Sequence, residues 1–316
     1  MDGLIGRATA RVGILMGGLS PERSISLKTG AGVLGALRER GWDVVEIRVG
    51  RDLPEVLRRE RISVAWIALH GRFGEDGCVQ GLLEMMGIPY TGSGVQASAV
   101  GMDKIATKRA LRHIPSVFLA VDATWRRGES LPEILFPAIV KPPTSGSTIG
   151  IKKVETIGEL EVALHEALKY DEEILIEQLI LGEEITVPVL DGEALPVVRI
   201  VPDSGFFDFD AKYTKGLTTY ECPANLSQKA SGAAQLAAKS AYRALGCRGL
   251  ARADFIVQQD GTPIFLEINT IPGMTATSLS PMAAAVVGMS YPELCEQILL
   301  GAVCMSALLD PHTLAP

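Results

Sequence analysis

Arg252-Ala253-Asp254-Phe255-Ile256-Val257-Gln258-Gln259-Asp260-Gly261-Thr262-Pro263-Ile264-Phe265-Leu266-Glu267-Ile268-Asn269 sets two β-rich runs on either side of an Asp-Gly pair. Asp-Gly between such runs signals a two-residue hairpin turn. With Asp260 and Gly261 as the loop, Gln259 pairs with Thr262, Asp254 with Glu267, and Arg252 with Asn269. Side chains alternate along a strand, so Arg252, Asp254, Glu267 and Asn269 share one face. Phe255, Val257, Ile264, Leu266 and Ile268 then form a core face. Two carboxylates placed opposite each other repel, and a bound cation removes that penalty. Hard oxygen donors in twos and threes, with room left for phosphate, are what Mg²⁺ sites use. A neighbouring Arg suits a developing negative charge. The other reading is a solvated polar face. The loop Thr270-Ile271-Pro272-Gly273-Met274-Thr275, which follows at once, counts against it.

Upstream, residues 11–16 form an apolar run ending in Gly17-Gly18, a strand and then a turn. Ser20-Pro21-Glu22 follows, with Ser20 as helix N-cap and Pro21 at the first helical position, so Glu22 falls in the first turn. That helix runs to about residue 40 and stops at Gly41. Strands at 44–49 and 64–69, with a helix at 53–61 between them, complete a β-α-β-α-β rhythm. The rhythm indicates a parallel sheet with helices on its faces. His70-Gly71-Arg72-Phe73-Gly74-Glu75-Asp76-Gly77 is a loop at the C-terminal edge of that sheet. A helix over 78–86 ends at Gly87. Gly92-Ser93-Gly94 marks a boundary, and one helix runs from there to about residue 112. The middle section reads as strands at 137–141, 151–154, 173–178 and 184–190, with a helix over 157–169. A strand near 195–201, a long loop to Pro223 and a helix over 226–245 lead into the hairpin, and two helices follow it.

The 316 residues allow two or three domains with real cores. A hydrophobic content of 47% and a mean hydropathy of +0.24 mark a globular chain. A net charge of −7 without a long basic run argues against nucleic acid as the main partner. Cys78, Cys222, Cys247, Cys295 and Cys304 are scattered, with no metal spacing among them, which fits a reduced cytosolic compartment. No basic-then-apolar leader precedes Gly18. The apolar stretch 298–309 is too short to span a bilayer and reads as a buried helix.

Several residues have the chemistry of a site. Gly17-Gly18 lacks the Gly-x-Gly-x-x-Gly spacing of a dinucleotide fold, and the Walker pattern is absent too. Lys141 closes a strand just before Ser145-Gly146-Ser147-Thr148-Ile149-Gly150. That is either a plain hairpin loop or a small-residue cradle for phosphate oxygens with a strand-end charge. Glu177-Gln178-Leu179-Ile180, leading to Gly182-Glu183-Glu184, is either an inter-domain turn with solvated acids or an extended edge that meets adenine and ribose. Glu22 and His70 coincide at the sheet edge where open α/β sheets bind ligands; a macrodipole partner and a satisfied loop residue are the plainer readings. The aromatic segment within 202–223 has the length of a lid that excludes water.

Taken in order, these pieces resemble a family. They are Gly17-Gly18-Leu19-Ser20-Pro21-Glu22-Arg23, Ala68-Leu69-His70-Gly71 through Gly74-Glu75-Asp76-Gly77, Pro89-Tyr90-Thr91-Gly92-Ser93-Gly94, Met102-Asp103-Lys104, Ala211-Lys212-Tyr213, and Glu267-Ile268-Asn269-Thr270 through Pro272-Gly273-Met274-Thr275. Over nearly its whole length the chain resembles the D-alanine–D-alanine ligases of the ATP-grasp superfamily. The resemblance implies an α/β fold, α+β in its later parts, with a three-domain ATP-grasp architecture. Residues 1–95 would be an N-terminal parallel-sheet substrate domain, 96–187 a central ATP-grasp subdomain and 188–316 the catalytic domain. It implies ATP-dependent joining of two D-alanine molecules through an acyl phosphate, for peptidoglycan precursors, in a cytoplasmic homodimer with no nucleic-acid or membrane partner. Asp254, Glu267 and Asn269 would hold two Mg²⁺ (or Mn²⁺) ions. Arg252 and the N–H of Gly273 would stabilise the oxyanion. Glu22 would hold the first substrate's ammonium in a set with Ser147 and Tyr213, Ser278 the second substrate's carboxylate, and His70 would line the site. Lys104, Lys141 and Lys212 would contact ATP phosphates, and Glu177, Ile180 and Glu184 adenine and ribose. Two departures stand out. Thr144-Ser145 occupies the place where relatives often carry an Arg-Glu pair, and Gln178 the place of a Lys facing adenine. Tyr213 argues against a D-alanine–D-lactate ligase. Glu22 leaves room for a ligase of another amino acid, and intact Arg252, Asp254, Glu267 and Asn269 oppose a catalytically dead protein.

Overall fold

The apolar run that opens the chain becomes the centre of a parallel three-stranded sheet. β1 (Arg11–Gly17) lies between β2 (Asp43–Val49) and β3 (Val64–Ile67). The structure, a computed structural model, describes residues 6–146, 150–202 and 218–305. Ser147, Lys212, Tyr213 and most of the expected lid therefore lie outside the described residues. α1 (Arg23–Glu39), α2 (Leu53–Arg59) and α3 (Cys78–Met86) accompany this first sheet. Helix α1 begins two residues later than its Ser-Pro start implies. Ser20 Oγ accepts from Glu22 N–H at 3.2 Å and donates to His70 O at 2.6 Å, so it fixes the turn before the helix. Glu22 is thereby the N-cap residue, and its carboxylate makes no capping bond.

The single helix expected over 95–112 is two, α4 (Val95–Met102) and α5 (Lys104–Leu111). Asp103, in extended conformation, breaks them and accepts from the N–H groups of Ile105 and Ala106. Two strands not anticipated follow, β4 (Phe118–Leu119) and β5 (Asp122–Arg126). β6 (Ala138–Lys141), β7 (Lys152–Val154), α6 (Ile157–Ala167) and β8 (Glu173–Gln178) complete an antiparallel sheet of order β5-β8-β6-β7.

The third sheet has seven strands. They are β4, β9 (Glu183–Leu190), β10 (Glu193–Ala194), β11 (Val198–Pro202), β12 (Thr218–Glu221), β13 (Leu250–Val257) and β14 (Pro263–Asn269), with α7 (Gln228–Ala244) between β12 and β13. Residues 218–221, expected as loop, pair with β11. The domain boundary expected at 187/188 cuts β9, which pairs with β13 along its whole length. Beyond the hairpin come α8 (Leu279–Val286) and α9 (Tyr291–Leu300). Of the helix expected over 298–309, residues 298–300 close α9 and Val303 bridges back to Tyr90, while 306–309 lie outside the described residues.

The hairpin has a three-residue loop, where two residues were expected. Gly261 N–H bonds to Gln258 O at 2.9 Å, and Gln258 faces Thr262. Gly261 takes the left-handed conformation that such loops need, at φ +86°. Near the turn the register is therefore one residue off the expected one, with Phe255 opposite Phe265. A bulge between Asp254 and Phe255 restores it, and Asp254 faces Glu267 while Arg252 faces Asn269. The bulge also changes the core face. Phe265 is buried edge-on against Phe255, with ring centroids 5.6 Å apart, while Leu266 is only half-buried. Ala253, Phe255, Val257, Phe265 and Ile268 pack with Ile185 and Val187 beneath an alanine stripe on α7. Small side chains let the helix lie close to the sheet and leave the opposite face for polar groups.

A second core joins the two ends of the molecule. Val12, Ile14 and Trp66 of the first sheet pack with Leu190, Leu250, Ala284, Leu294 and Leu299. No helix among the described residues is long and apolar enough to cross a membrane.

Candidate active site

The register of the seven-stranded sheet puts its polar residues in rows on the face away from α7. Thr186 faces Asp254, and Asp254 faces Glu267. Glu184 faces Ile256 on one side and Ile200 on the other, and Ile200 faces Tyr220. Glu184, Thr186, Arg252, Asp254, Glu267 and Asn269 therefore share one floor. Burial pushes the Tyr220 phenol up; Arg252 pulls it back and Glu184 adds to the rise, which places both charges near that ring.

Asp254 is the hub of this floor. Arg252 grips it with two hydrogen bonds of 2.9 Å, from Nε to Oδ1 and Nη2 to Oδ2. Thr186 Oγ1 donates to Oδ1 at 2.5 Å, and Asn269 Nδ2 donates to Oδ2 at 3.2 Å. Glu267 pairs with Lys104 Nζ at 3.0 Å. The repulsion expected between the facing carboxylates is thus relieved by two side-chain cations, one for each acid. Two carboxylates and an amide make a hard-oxygen set that fits a divalent ion. No group of three or more acidic, histidine or cysteine side chains is gathered around such a site among the described residues.

Lys104 also donates to Ser145 O at 3.0 Å, which ties the small-residue loop to β14. Asp171 holds the other side of that loop, accepting from Thr144 N–H at 2.9 Å and Thr144 Oγ1 at 2.6 Å. The loop leads toward Glu22, since a Cβ built at Gly146 would stand 3.1 Å from Glu22 Oε2, and one at Gly71 2.6 Å from it. The helix-start carboxylate, the His70 loop and the small-residue loop therefore meet. His70 Nε2 lies 3.1 Å from Thr29 Oγ1, and Glu75 Oε2 accepts from Gly71 N–H at 2.6 Å.

Gly273 and Ser278 are also adjacent, with 3.4 Å between a Cβ built at Gly273 and Ser278 Oγ. Ser278 is the N-cap residue before α8, and its Oγ accepts from Thr275 N–H at 3.0 Å. Tyr291 Oη donates to Met274 O at 2.7 Å and pins this loop to α9.

Glu177 differs from its expected part. Its carboxylate is buried, with Lys108 Nζ 2.5 Å from Oε1 and Lys141 Nζ 2.6 Å from Oε2. Both oxygens are taken by lysines, so its connection to the cleft runs through Lys141. Burial alone would raise this acid; the two ammonium groups outweigh that and bring it down to about 2. Ile180 is half-buried on the link between the sheets. Lys108, Thr186 and Glu75 are participants that sequence reasoning did not single out.

Fold and site together define a class, an α/β enzyme whose charged cleft lies where three sheets meet. Comparison with known proteins narrows this. The D-ala D-ala ligase C-terminus model matches residues 123–300, and the D-ala D-ala ligase N-terminus model matches residues 50–93. The D-alanine–D-alanine ligase of Syntrophotalea carbinolica is 50% identical over 294 residues, covering 92% of this chain and 96% of its own. That of Geobacter sulfurreducens is 47% identical over 299 residues, covering 93% and 94%. A crystal structure of the Bacillus anthracis D-alanine–D-alanine ligase complexed with ATP superposes with a TM-score of 0.83 at 33% identity, covering 96% of this chain and all of that one. The chain belongs to the D-alanine–D-alanine ligase family.

Proposed function

We propose that the protein joins two D-alanine molecules into D-alanyl-D-alanine, converting ATP to ADP and phosphate, for peptidoglycan precursor synthesis. The observation that carries this reading is the convergence of three features. They are the Asp254–Glu267–Asn269 floor, the small-residue loop stapled to it by Lys104, and Glu22 beyond that loop. Phosphate chemistry needs the first two, and an amino-acid substrate needs the third.

In this reading the nucleotide lies between the four- and seven-stranded sheets. Lys104 and Lys141 face its phosphates, and Ile180 and Glu184 face the adenine and ribose end. Two Mg²⁺ or Mn²⁺ ions on Asp254, Glu267 and Asn269 would neutralise phosphoryl oxygens. Arg252 and Lys104, now paired with the two acids, stand where those charges are wanted. Glu22 holds the ammonium of the first D-alanine, whose carboxylate attacks the γ-phosphorus and becomes an acyl phosphate. The second D-alanine, held through its carboxylate near Ser278, attacks that carbonyl with its amine. Arg252 and the N–H of Gly273 stabilise the tetrahedral oxyanion, and phosphate leaves. His70 lines the first-substrate side. Ser147, Lys212 and Tyr213 retain the roles the resemblance implies.

The same reading includes three structural units, with a division after Gly182 that keeps β9 whole. It also includes a cytoplasmic homodimer, and the free thiols of the described cysteines suit a reducing compartment. The test is phosphate release from ATP with Mg²⁺ and D-alanine, with L-alanine as control. Release that does not depend on D-alanine sinks the proposal. Preferential release with D-lactate as second substrate near neutral pH moves the protein to the depsipeptide-forming branch.

A further inference from the structure

Helix α5 carries two lysines one turn apart, and each reaches across to both later sheets. Lys104 touches Glu267 of β14 and Ser145 O of the small-residue loop. Lys108 touches Glu177 of β8, and its Nζ donates to Phe265 O of β14 at 3.4 Å. Lys108 is 1% exposed and Glu177 3%, whereas Lys141, on the other side of Glu177, keeps 12% of its side-chain surface open. An ammonium so deeply enclosed is costly unless paired, and a buried lysine at a cleft wall calls for a reason.

The count of charges supplies one. Glu177 contributes one negative charge, and Lys108 and Lys141 one positive charge each. With Lys108 in place the cluster has a net positive charge, and the open member of the trio, Lys141, is where it meets the cleft. Without Lys108 the carboxylate and Lys141 cancel, and the strand end offers an incoming phosphate no net charge. We propose that Lys108 is a positioning residue for nucleotide binding: it neutralises Glu177 so that the Lys141 ammonium stays available to an ATP phosphate. Lys108 touches no substrate in this arrangement. The proposal rests on the ligase reading, which places a nucleotide at Lys141.

The experiment compares Lys108→Met, Lys108→Arg and the pair Lys108→Met/Glu177→Gln with wild type. It measures KM for ATP, KM for D-alanine, kcat, direct binding of ADP with Mg²⁺, and thermal unfolding. Lys108→Met is expected to raise KM for ATP and the ADP dissociation constant about tenfold or more, with kcat and KM for D-alanine changing less than about threefold. Lys108→Arg keeps the charge and is expected within about threefold of wild type for ADP. The double variant removes both charges, leaves Lys141 uncancelled, and is expected to recover most of the lost ADP affinity. A folded Lys108→Met protein with wild-type ADP binding overturns the proposal. So does a double variant that binds ADP no better than Lys108→Met. Should Lys108→Met fail to fold, the double variant carries the test, because its one uncompensated charge, on Lys141, lies at the open side of the cluster; weak ADP binding by it, when folded, overturns the proposal. Wild-type protein that releases no phosphate with D-alanine rejects the ligase reading itself, while the ADP measurements still judge the role of Lys108.

Discussion

Replacing Gly182 by alanine should push apart the join between the four- and seven-stranded sheets. A Cβ at this position would stand 2.1 Å from Val257 O and 2.8 Å from Val257 C, where at least 3.0 Å is needed. Something must therefore move by about 0.9 Å. Val257 cannot easily recede, because it is paired to Glu183 on one side and Pro263 on the other. The displacement falls on the link after β8, which carries Ile180 and leads to Glu184. Overpacking of this kind costs about 1–3 kcal/mol, a fraction of a typical domain's stability. Moving a ligand-holding segment by about 1 Å can cost on the order of 100-fold in rate or affinity. The functional effect should therefore outweigh the loss of stability. D-alanine-dependent phosphate release, measured over a range of ATP concentrations, should show KM for ATP raised about 10- to 100-fold, while KM for D-alanine stays within about twofold. A folded Gly182→Ala protein with unchanged KM for ATP would show instead that the link tolerates the shift.

Three further outcomes follow from the same geometry. Deleting Leu266 removes the bulge residue and sets Glu267 directly after Phe265, still opposite Asp254 and on the polar face; turnover should stay within about tenfold of wild type, and its loss would show that the floor needs the bulge itself. Glu267→Gln should lower kcat by at least about 100-fold with a melting temperature within a few degrees of wild type, and rates like wild type would remove Glu267 from the metal set. The acid-stability profile should carry a signature of Glu177. Its folded value of about 2 lies below the ordinary 4.5, so its contribution is fully present above 4.5 and is lost as pH falls toward 2. Denaturant titrations should show the stability gap between wild type and Glu177→Gln narrowing by about 3 kcal/mol between pH 5 and 2; a gap independent of pH would contradict the buried pairing.

The parts of this protein that sequence made legible are those written in local periodicity. The parallel first sheet follows from short apolar runs alternating with capped helices. The Asp254–Glu267 pairing follows from alternation around a turn, although two irregularities had to compensate for it to hold. A three-residue loop shifted the register and the bulge at Leu266 shifted it back, and neither leaves a mark in a pattern of apolar and polar letters. Asp103 was readable in principle as an N-cap, but the apolar pattern runs through it and disguised two helices as one. β4 and β5 are short and carry little alternation. Lys108 was the least legible of all. Beside Lys104 it reads as half of a solvated lysine pair, and only the fold brings Glu177 to it. Site residues whose partners are distant in the chain are invisible to periodicity, because the burial that gives them meaning is a property of packing.

The shared core between the first sheet and the last helices has a consequence for synthesis. Val12, Ile14 and Trp66 emerge from the ribosome early, yet their packing partners Leu294 and Leu299 are among the last of the described residues to be made. The ion pairs of Arg7 and Arg40 with Glu296 of α9 wait equally long. The leading β-α-β unit therefore spends most of translation with an apolar face uncovered, at a synthesis rate of about 5–20 residues per second. Its final docking is a late step, set by the arrival of α9 more than by local folding speed. Fragments that stop short of α9 should expose that face and associate, and holdase chaperones that shield apolar sheet surfaces would act on this chain chiefly during the interval before α9 arrives.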